Sequence, residues 1–381
     1  MPTIWHGLLF GTVLLSWAYW IAVAVTVAIF FARKRLPARD GYRPKVSLIK
    51  PVCGLEKGLY ENLSSATAQD YPDYEVLYAL QNPEDPVLPT LERIRAEAPS
   101  GRVRILIDSA AAGPNGRLCN ILNATREAKG EVLVYSDSDM LLDTGYLRAI
   151  VAPLADPSVG VSCTLYRAHG AVNVWERLEM LSLNAEFVPS MIFATVTGVA
   201  LACPGASQAV RRETLEKIGG LAPMADSLVE DLELGRGVVN AGLKLVIEPH
   251  VAATGVDLSG WRPWWRHQVY WDQNTRAANP VGFFFTCLVR GIPLAVLYCF
   301  AMLPHDLLEL ELLLATVAIR LATSAVTCLY LGDREGLRTL WLLPVRDLTG
   351  AATWAASFLQ REVHWKGRVF TLSGNRLVES V

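Results

Sequence analysis

Charge is scarce in this chain, and its absences are informative. Of 381 residues, 19% are charged and 52% apolar, and acids and bases nearly cancel at a net charge of -2. A chain that neutralises nucleic-acid phosphates carries a basic excess, so nucleic acid is excluded as a partner. The seven cysteines, Cys53, Cys119, Cys163, Cys203, Cys287, Cys299 and Cys328, are scattered and have no C-x-x-C spacing. That argues against a zinc site or a disulfide framework and fits small buried hydrophobes in a reducing compartment. The histidines show no ligand pattern.

The longest absence of charge runs from residue 7 to 32, GLLFGTVLLSWAYWIAVAVTVAIFFA. As a helix it extends roughly 39 Å, enough to cross a bilayer with some tilt. It is too long for a signal-peptide core and no basic segment precedes it. Arg33, Lys34 and Arg35 follow directly. Basic flanks favour the cytoplasmic side, so the N-terminus is expected outside and the rest of the chain inside. Three further apolar segments lie near the C-terminus, at 281–303, about 308–331 and about 339–359. Each carries charge: Arg290 in the first, Glu309, Glu311 and Arg320 in the second, Arg346 and Asp347 in the third. Such residues should face protein or a water-lined cavity. The basic tail REVHWKGR is expected in the cytoplasm, so the three segments do not all cross. The third, with Pro344, Arg346 and Asp347, is the candidate re-entrant or interfacial segment.

Between these ends the pattern changes. After a polar linker, LPARDGYRP, apolar β-rich runs begin at residues 46, 74, 102 and 131, at intervals of 28, 28 and 29. Helix-like segments such as LYENLSSATAQ and VLPTLERIRAEA lie between them. This alternation predicts βαβ units and a parallel sheet covered on both faces. Ligands of open α/β sheets bind beyond the carboxyl ends of the strands. Asp137 and Asp139 of YSDSDM stand at such an end, and so does Asp85 of QNPEDP.

Four motifs carry chemistry. Paired carboxylates after a parallel strand suit a divalent cation whose other positions are filled by substrate phosphates, and Mg2+ or Mn2+ fits that description; a solvated acidic loop is the plainer reading. In VED (229–231), an acid at a helix start either favours the helix N-terminus or takes a proton from an acceptor hydroxyl, and the two are compatible. GPNGRLCNILNA (113–124) leads a turn into a helix with Arg117 and Asn120. It is either an ordinary turn or a place where N–H groups and a cation meet a phosphate or base. Trp261, Trp264, Trp265 and Trp271, interleaved with Arg262 and Arg266, suit a membrane–water boundary or an acceptor entrance better than core packing.

In this order the motifs resemble the GT-A glycosyltransferases of the ceramide glucosyltransferase type, including bacterial relatives that glycosylate hopanoids and other lipids. The resemblance covers nearly the whole chain. VSLIKPVCGLEKGLYENL matches the family's opening KP-x-x-G … L-x-x-N-L, and DYPDYEVLYALQNPEDP its first aspartate region. YSDSDM matches the D-x-D-like site, VEDLELG the motif of the catalytic base, and VHWKGRVFTL the tryptophan-containing C-terminus. The implied architecture is α/β, a Rossmann-like GT-A domain with an N-terminal transmembrane helix and C-terminal membrane helices. Residues 1–35 would be the anchor and 36–280 a cytoplasmic catalytic domain. Residues 281–360 would form two spans plus a re-entrant or interfacial segment, and 361–381 a cytoplasmic tail.

The resemblance also implies roles. Asp85 would contact the uridine of a UDP-sugar. Asp137 and Asp139 would sit at its diphosphate, with Asp139 the direct ligand of Mn2+ or Mg2+. Asp231 would be the base with Glu230 beside it, and Arg117 stands where the family usually has lysine. One departure is plain: the family's Gln/Arg-x-x-Arg-Trp reads here as His267-x-x-Tyr270-Trp271. Arg266 and Arg276 are the nearby cations that would replace the missing charge at the leaving group. The implied activity is inverting transfer of a sugar, glucose foremost, from UDP to a membrane-lipid hydroxyl. Ceramide is the first expected acceptor, with hopanoid, diacylglycerol and polyprenyl phosphate as alternatives, and a non-catalytic scaffold as the alternative class.

Overall fold

A computed structural model describes residues 2–33, 41–302, 307–360, 362–365 and 368–379. Lys34, Arg35 and linker residues 36–40, which carry part of the orientation argument, lie outside the described residues. The chain forms two compact units. Lys34–Arg167, Val199–Asp257 and Phe370–Val381 make one; Met1–Arg33, Ala168–Gly198 and Leu258–Val369 make the other. The second unit therefore takes in two stretches, 168–198 and 258–280, that the sequence reading assigns to the catalytic domain.

The first unit is built on a sheet. β1 (Val46–Pro51), β2 (Tyr74–Leu80), β3 (Val103–Ile107) and β4 (Val132–Ser136) are joined in the order β3-β2-β1-β4. All three pairings are parallel, as the repeat of apolar runs predicts. Every residue of β1, β2 and β4 is buried. Burying a Leu, Ile or Val from such a run stabilises the fold by about 1.5–3 kcal/mol, and continuous runs like these fit only a sheet covered on both faces. The remaining strands are β5 (Met140–Leu141), β6 (Val159–His169), β7 (Ser207–Arg211) and β8 (Lys244–Gly255). They make the sheet mixed: β7 runs antiparallel to β4 and to β6, and β5 antiparallel to β8.

The second unit is helical. Among the described residues three of its helices are long and apolar enough to cross a membrane: Ile4–Ala32, Val174–Thr197 and Leu307–Leu331. Val174–Thr197 was not legible as a span, because Glu176, Arg177, Glu179 and Glu186 interrupt its hydropathy. It is also not a uniform helix: a π-helical turn, Leu183–Phe187, separates Val174–Ser182 from Val188–Thr197. The segment expected at 281–303 is a pair, Pro280–Val289 and Gly291–Ala301, bent by 56° around Arg290. Leu343–Leu359 is a shorter helix of 17 residues, and β9 (Glu362–Trp365) follows it.

Two buried arginines of these helices, Arg320 and Arg346, are paired with acids. Arg320, 2% exposed, donates to Asp347 through Nε at 2.9 Å and Nη2 at 3.3 Å. Its Nη1 reaches Ala185 O in the π-helical turn at 3.1 Å. Its guanidinium also lies 3.6 Å from the centre of the Trp20 ring. Arg346 donates to Ser182 Oγ at 3.1 Å and to Asp347 Oδ1 at 3.2 Å, and pairs with Glu186. A buried guanidinium without such partners would cost several kcal/mol.

The chain ends in the first unit with a hairpin. β10 (Arg368–Ser373) and β11 (Arg376–Glu379) pair antiparallel around the turn Gly374–Asn375.

Candidate active site

The acidic turn after β4 is shaped from below. Met140 N–H closes on Asp137 O at 3.2 Å, leaving Asp137, Ser138 and Asp139 on a tight bend. Beneath it lies Lys50, a fully buried lysine within β1. Its Nζ donates to Asp137 O at 2.8 Å and to Met140 O at 2.9 Å, tying both ends of the bend. Burial pushes the Lys50 ammonium down to about 8, against the pull of Asp139, Asp137 and Glu56. It stays charged at neutral pH beneath two carboxylates.

Asp139 is presented and not consumed. Its Oδ2 accepts from Thr254 Oγ1 at 3.1 Å and its backbone oxygen from Gly255 N–H at 3.1 Å. Its Oδ1 is buried with no hydrogen-bond partner. Burial, then the charges of Asp137 and Glu56, push this carboxyl up to about 6. Among the described residues no cluster of three or more His, Cys, Asp or Glu side chains forms a complete metal cage. A hard divalent cation that keeps one or two carboxylates and takes its other oxygens from a diphosphate does not need one. An orphaned, buried carboxylate oxygen at the strand end fits such an ion.

Arg117 joins the two acidic motifs. It lies on the helix Gly116–Glu127, whose N-cap is Asn115. Nε donates to Asp137 Oδ1 at 2.6 Å, Nη1 to Glu230 Oε1 at 2.6 Å, and Nη2 to Gly205 O at 2.7 Å. Burial opposes its charge, but Asp137 and Glu230 more than compensate and raise its basicity. Glu230 also accepts from Asn115 Nδ2 at 2.9 Å. It is thereby held on both oxygens.

Asp231 is the carboxylate left available. It is the second residue of the helix Glu230–Asn240, and its Oδ1 accepts from the neighbouring Leu232 N–H at 2.7 Å. Burial, reinforced by Glu230 and opposed by Arg117, pushes it up to about 7. A carboxylate poised there is suited to accept a proton at neutral pH. Its Oδ2 lies over Gly205, where a Cβ would come within 2.6 Å. The glycine is needed for that approach.

Two other expected residues are near strand ends but already engaged. Both oxygens of Asp85 accept from Gly54 N–H, at 3.1 and 3.0 Å, and Oδ1 also from Val87 N–H at 3.0 Å. It thus ties the loop after β1 to the loop after β2. Asn120 is buried, its Nδ2 3.3 Å from Val52 O and its Oδ1 without a partner.

His267, Tyr270, Trp271 and Arg276 belong to the helical unit, on the helix Trp261–Ala278. His267 Nδ1 lies 2.9 Å from Glu179 Oε1, and its Nε2 accepts from Trp271 Nε1 at 3.3 Å. These partners assign the Nδ1–H tautomer. Gln268 donates to the other Glu179 oxygen at 2.6 Å. Tyr270 O accepts from Asn274 Nδ2 at 2.7 Å. Arg276 lies 5.4 Å from the Phe358 ring, and Arg266 is exposed. Trp264 departs from the boundary reading. It is fully buried in an apolar cluster with Leu178, Leu181, Ala185, Leu258, Leu342 and Leu343. The arginines are one helical face away from it, so interleaved charge in the sequence did not mean exposure of every tryptophan.

Sequence reasoning missed Lys50, Thr254, Gly205 and Tyr166. A lone lysine in an apolar strand was a usable signal for Lys50. Tyr166 is buried, its phenol pushed up by burial and then by Asp231, Asp137 and Asp139, and nothing in its local sequence marks it.

The profile of the family described as Glycosyl transferase family 21 matches residues 8–378. Two curated relatives come from Caenorhabditis elegans. Ceramide glucosyltransferase 1 is 23% identical over 246 residues, 64% of this chain and 52% of that protein. Ceramide glucosyltransferase 3 is 24% identical over 292 residues, 74% of this chain and 57% of that protein. This chain thus spans about half the length of those relatives. In fold it is similar to a mannosyltransferase from Pyrobaculum calidifontis solved in complex with GDP-Man and Mn2+. That likeness has a TM-score of 0.52 and 21% identity, and covers 93% of this chain and 96% of that one.

Proposed function

The chain belongs to glycosyl transferase family 21, and from that premise we propose that it moves glucose from UDP-glucose to the hydroxyl of a membrane lipid, ceramide foremost, with inversion. The observation that carries the reading is that Asp139, with its orphaned oxygen, and Asp231, raised to about 7, stand in one sheet unit next to Asp137 and Glu230, which Arg117 bridges. Asp139, with Asp137 beside it, would hold Mn2+ or Mg2+, which would neutralise charge on the leaving diphosphate.

The protein's own residues do the rest. Lys50 keeps the Asp137–Met140 bend in place. Arg117 holds Asp137 and Glu230 in fixed relation and brings positive charge to the donor side. Asp231 takes the proton of the acceptor hydroxyl as its oxygen attacks C1 of the sugar. The C1–O bond to UDP breaks on the opposite face, so one displacement converts an α-linked donor into a β-linked product. Glu230, occupied by Arg117 and Asn115, orients the helix start and does not itself accept the proton. The apolar helices suit a protein at a bilayer, where a water-soluble donor meets a lipid hydroxyl, and the basic flank of the first helix favours a cytoplasmic site.

The test is UDP release by the purified protein in lipid nanodiscs. UDP-glucose, UDP-galactose, UDP-N-acetylglucosamine and UDP-glucuronate are combined with ceramide, diacylglycerol, hopanoid and polyprenyl phosphate, with and without Mn2+ or Mg2+. Metal-dependent release requiring UDP-glucose and ceramide, and lost in Asp231→Asn, is the expected result. Release with another lipid replaces the acceptor, and absence of turnover despite UDP-glucose binding overturns the catalytic reading.

A further inference from the structure

The start of the helix Glu230–Asn240 has a weakness. Its N-cap residue is Val229, which offers no side-chain cap. The first N–H groups of a helix need partners, and a loose first turn would leave Glu230 and Asp231 poorly placed. The partner comes from the far end of the chain. Asn375, in the turn of the C-terminal hairpin, accepts from Val229 N–H through Oδ1 at 3.0 Å. Its backbone oxygen accepts from Leu228 N–H at 2.8 Å. Its Nδ2 donates to Glu233 Oε1 at 3.0 Å, one turn into the helix.

The hairpin grips the preceding loop as well. Leu377 N–H donates to Asp226 O at 2.8 Å, and Ser227 pairs with Arg376 as an antiparallel bridge. On that same loop, Asn115 Nδ2 donates to Ser227 O at 3.0 Å and Asn115 N–H to Ala225 O at 3.1 Å. Gly113 packs so closely on Ala225 that a Cβ there would lie 2.5 Å from Ala225 O. Residues 225–229 are therefore held by the turn that presents Arg117 and by the C-terminal hairpin. The tolerance at the other end is small, because Asp231 Oδ2 already lies over Gly205 with no room for a methyl group.

We propose that the C-terminal hairpin is a clasp that sets the position of Asp231, with Asn375 as a positioning residue that fixes the entry to the helix by accepting from Val229 N–H and donating to Glu233. Its catalytic meaning rests on the proposed transferase reading; its structural meaning does not. The hairpin is thereby part of the active-site assembly. Asn375 touches neither donor nor acceptor in this role, so its removal acts on turnover and not on donor affinity.

Two readouts on the full-length protein in nanodiscs test this, with Asn375→Ala and Asn375→Asp compared with wild type. Amide exchange is measured first, with Mn2+ and UDP present. In Asn375→Ala it should rise roughly tenfold over residues 226–233 and stay unchanged in β1 and β4. Turnover is then normalised to the number of UDP-binding sites, so that misfolded protein does not count. In Asn375→Ala kcat per site should fall about tenfold while KM for the UDP-sugar stays within about twofold. Asn375→Asp keeps an acceptor for Val229 but sets a carboxylate against Glu233, and should fall between the two. Unchanged exchange over 226–233 overturns the clasp whatever the turnover. Raised exchange with unchanged kcat per site overturns the positioning role. If wild type turns over no lipid, the transferase reading fails while exchange still decides the clasp.

Discussion

Arg117 and Asp137 are joined by an Nε–Oδ1 hydrogen bond of 2.6 Å, and the same guanidinium holds Glu230 at 2.6 Å through Nη1. One planar group thus spans a strand end and a helix start that lie far apart in sequence. A lysine ammonium carries the charge but cannot aim three donors in a fork. Arg117→Lys should therefore lower kcat/KM by about 10- to 100-fold, with the larger part in kcat. Steady-state kinetics of that variant check it; an unchanged kcat would mean the bridge matters only as charge.

The acid limb of the rate profile should belong to Asp231. Burial and Glu230 favour its protonated form, so the base is lost as pH falls through about 7. Glu230→Gln removes the neighbouring negative charge and should move that limb to lower pH, measured as kcat/KM against pH. The same shift has a stability consequence. A carboxyl whose folded pKa is raised binds more protons folded than unfolded. Its contribution to stability is greatest below its ordinary range and is lost as pH rises towards and through about 7. Asp231→Asn should flatten that part of the thermal-stability profile of the metal-free protein.

Lys50 and Asp139 should separate by phenotype. Asp139→Asn removes the orphaned carboxylate oxygen and should weaken Mn2+ binding, read by electron paramagnetic resonance, with little change in melting temperature. Lys50→Met takes the Lys50 donor from the buried Met140 carbonyl, which costs about 1–3 kcal/mol, and leaves Asp137 O with the Met140 N–H. It should weaken Mn2+ binding and lower stability together. Mn2+ affinity that is unchanged in both variants would remove the bend from the metal site.

In the helical unit, Asp347 neutralises Arg320 and Arg346 at once. Asp347→Ala should destabilise the protein by about 3–5 kcal/mol because it leaves buried guanidinium charge uncompensated. Adding Arg320→Met should restore part of the loss. Thermal unfolding in nanodiscs measures both, and equal stability of the single and double variants would argue that Trp20 and Ala185 O alone carry Arg320.

The sheet unit was readable to the extent that its determinants are local. Apolar runs at nearly equal intervals announced β1 to β4, and a run ending in Asp137 announced a strand end. The antiparallel half was not readable, because β6, β7 and β8 pair across intervals the sequence does not signal. The helix Val174–Thr197 was hidden for a related reason. Its Glu186 is met by Arg346 and its Glu179 by His267 and Gln268, all from helices distant in sequence.

What the sequence by itself determined was the set of chemical groups and the periodicities that place them. An uncharged N-terminal helix, a repeated strand–helix rhythm and carboxylates at Asp85, Asp137, Asp139 and Asp231 are properties of short stretches. Tertiary structure alone decided which carboxylates stay available. Glu230 and Asp231 are adjacent and alike in chemistry, yet Arg117 and Asn115 occupy one while burial and Gly205 set the environment of the other. The same holds for Lys50 beneath the acidic bend and Asn375 at the helix start. Their roles arise from hydrogen bonds between residues far apart in the chain, and only the folded backbone brings those donors and acceptors together.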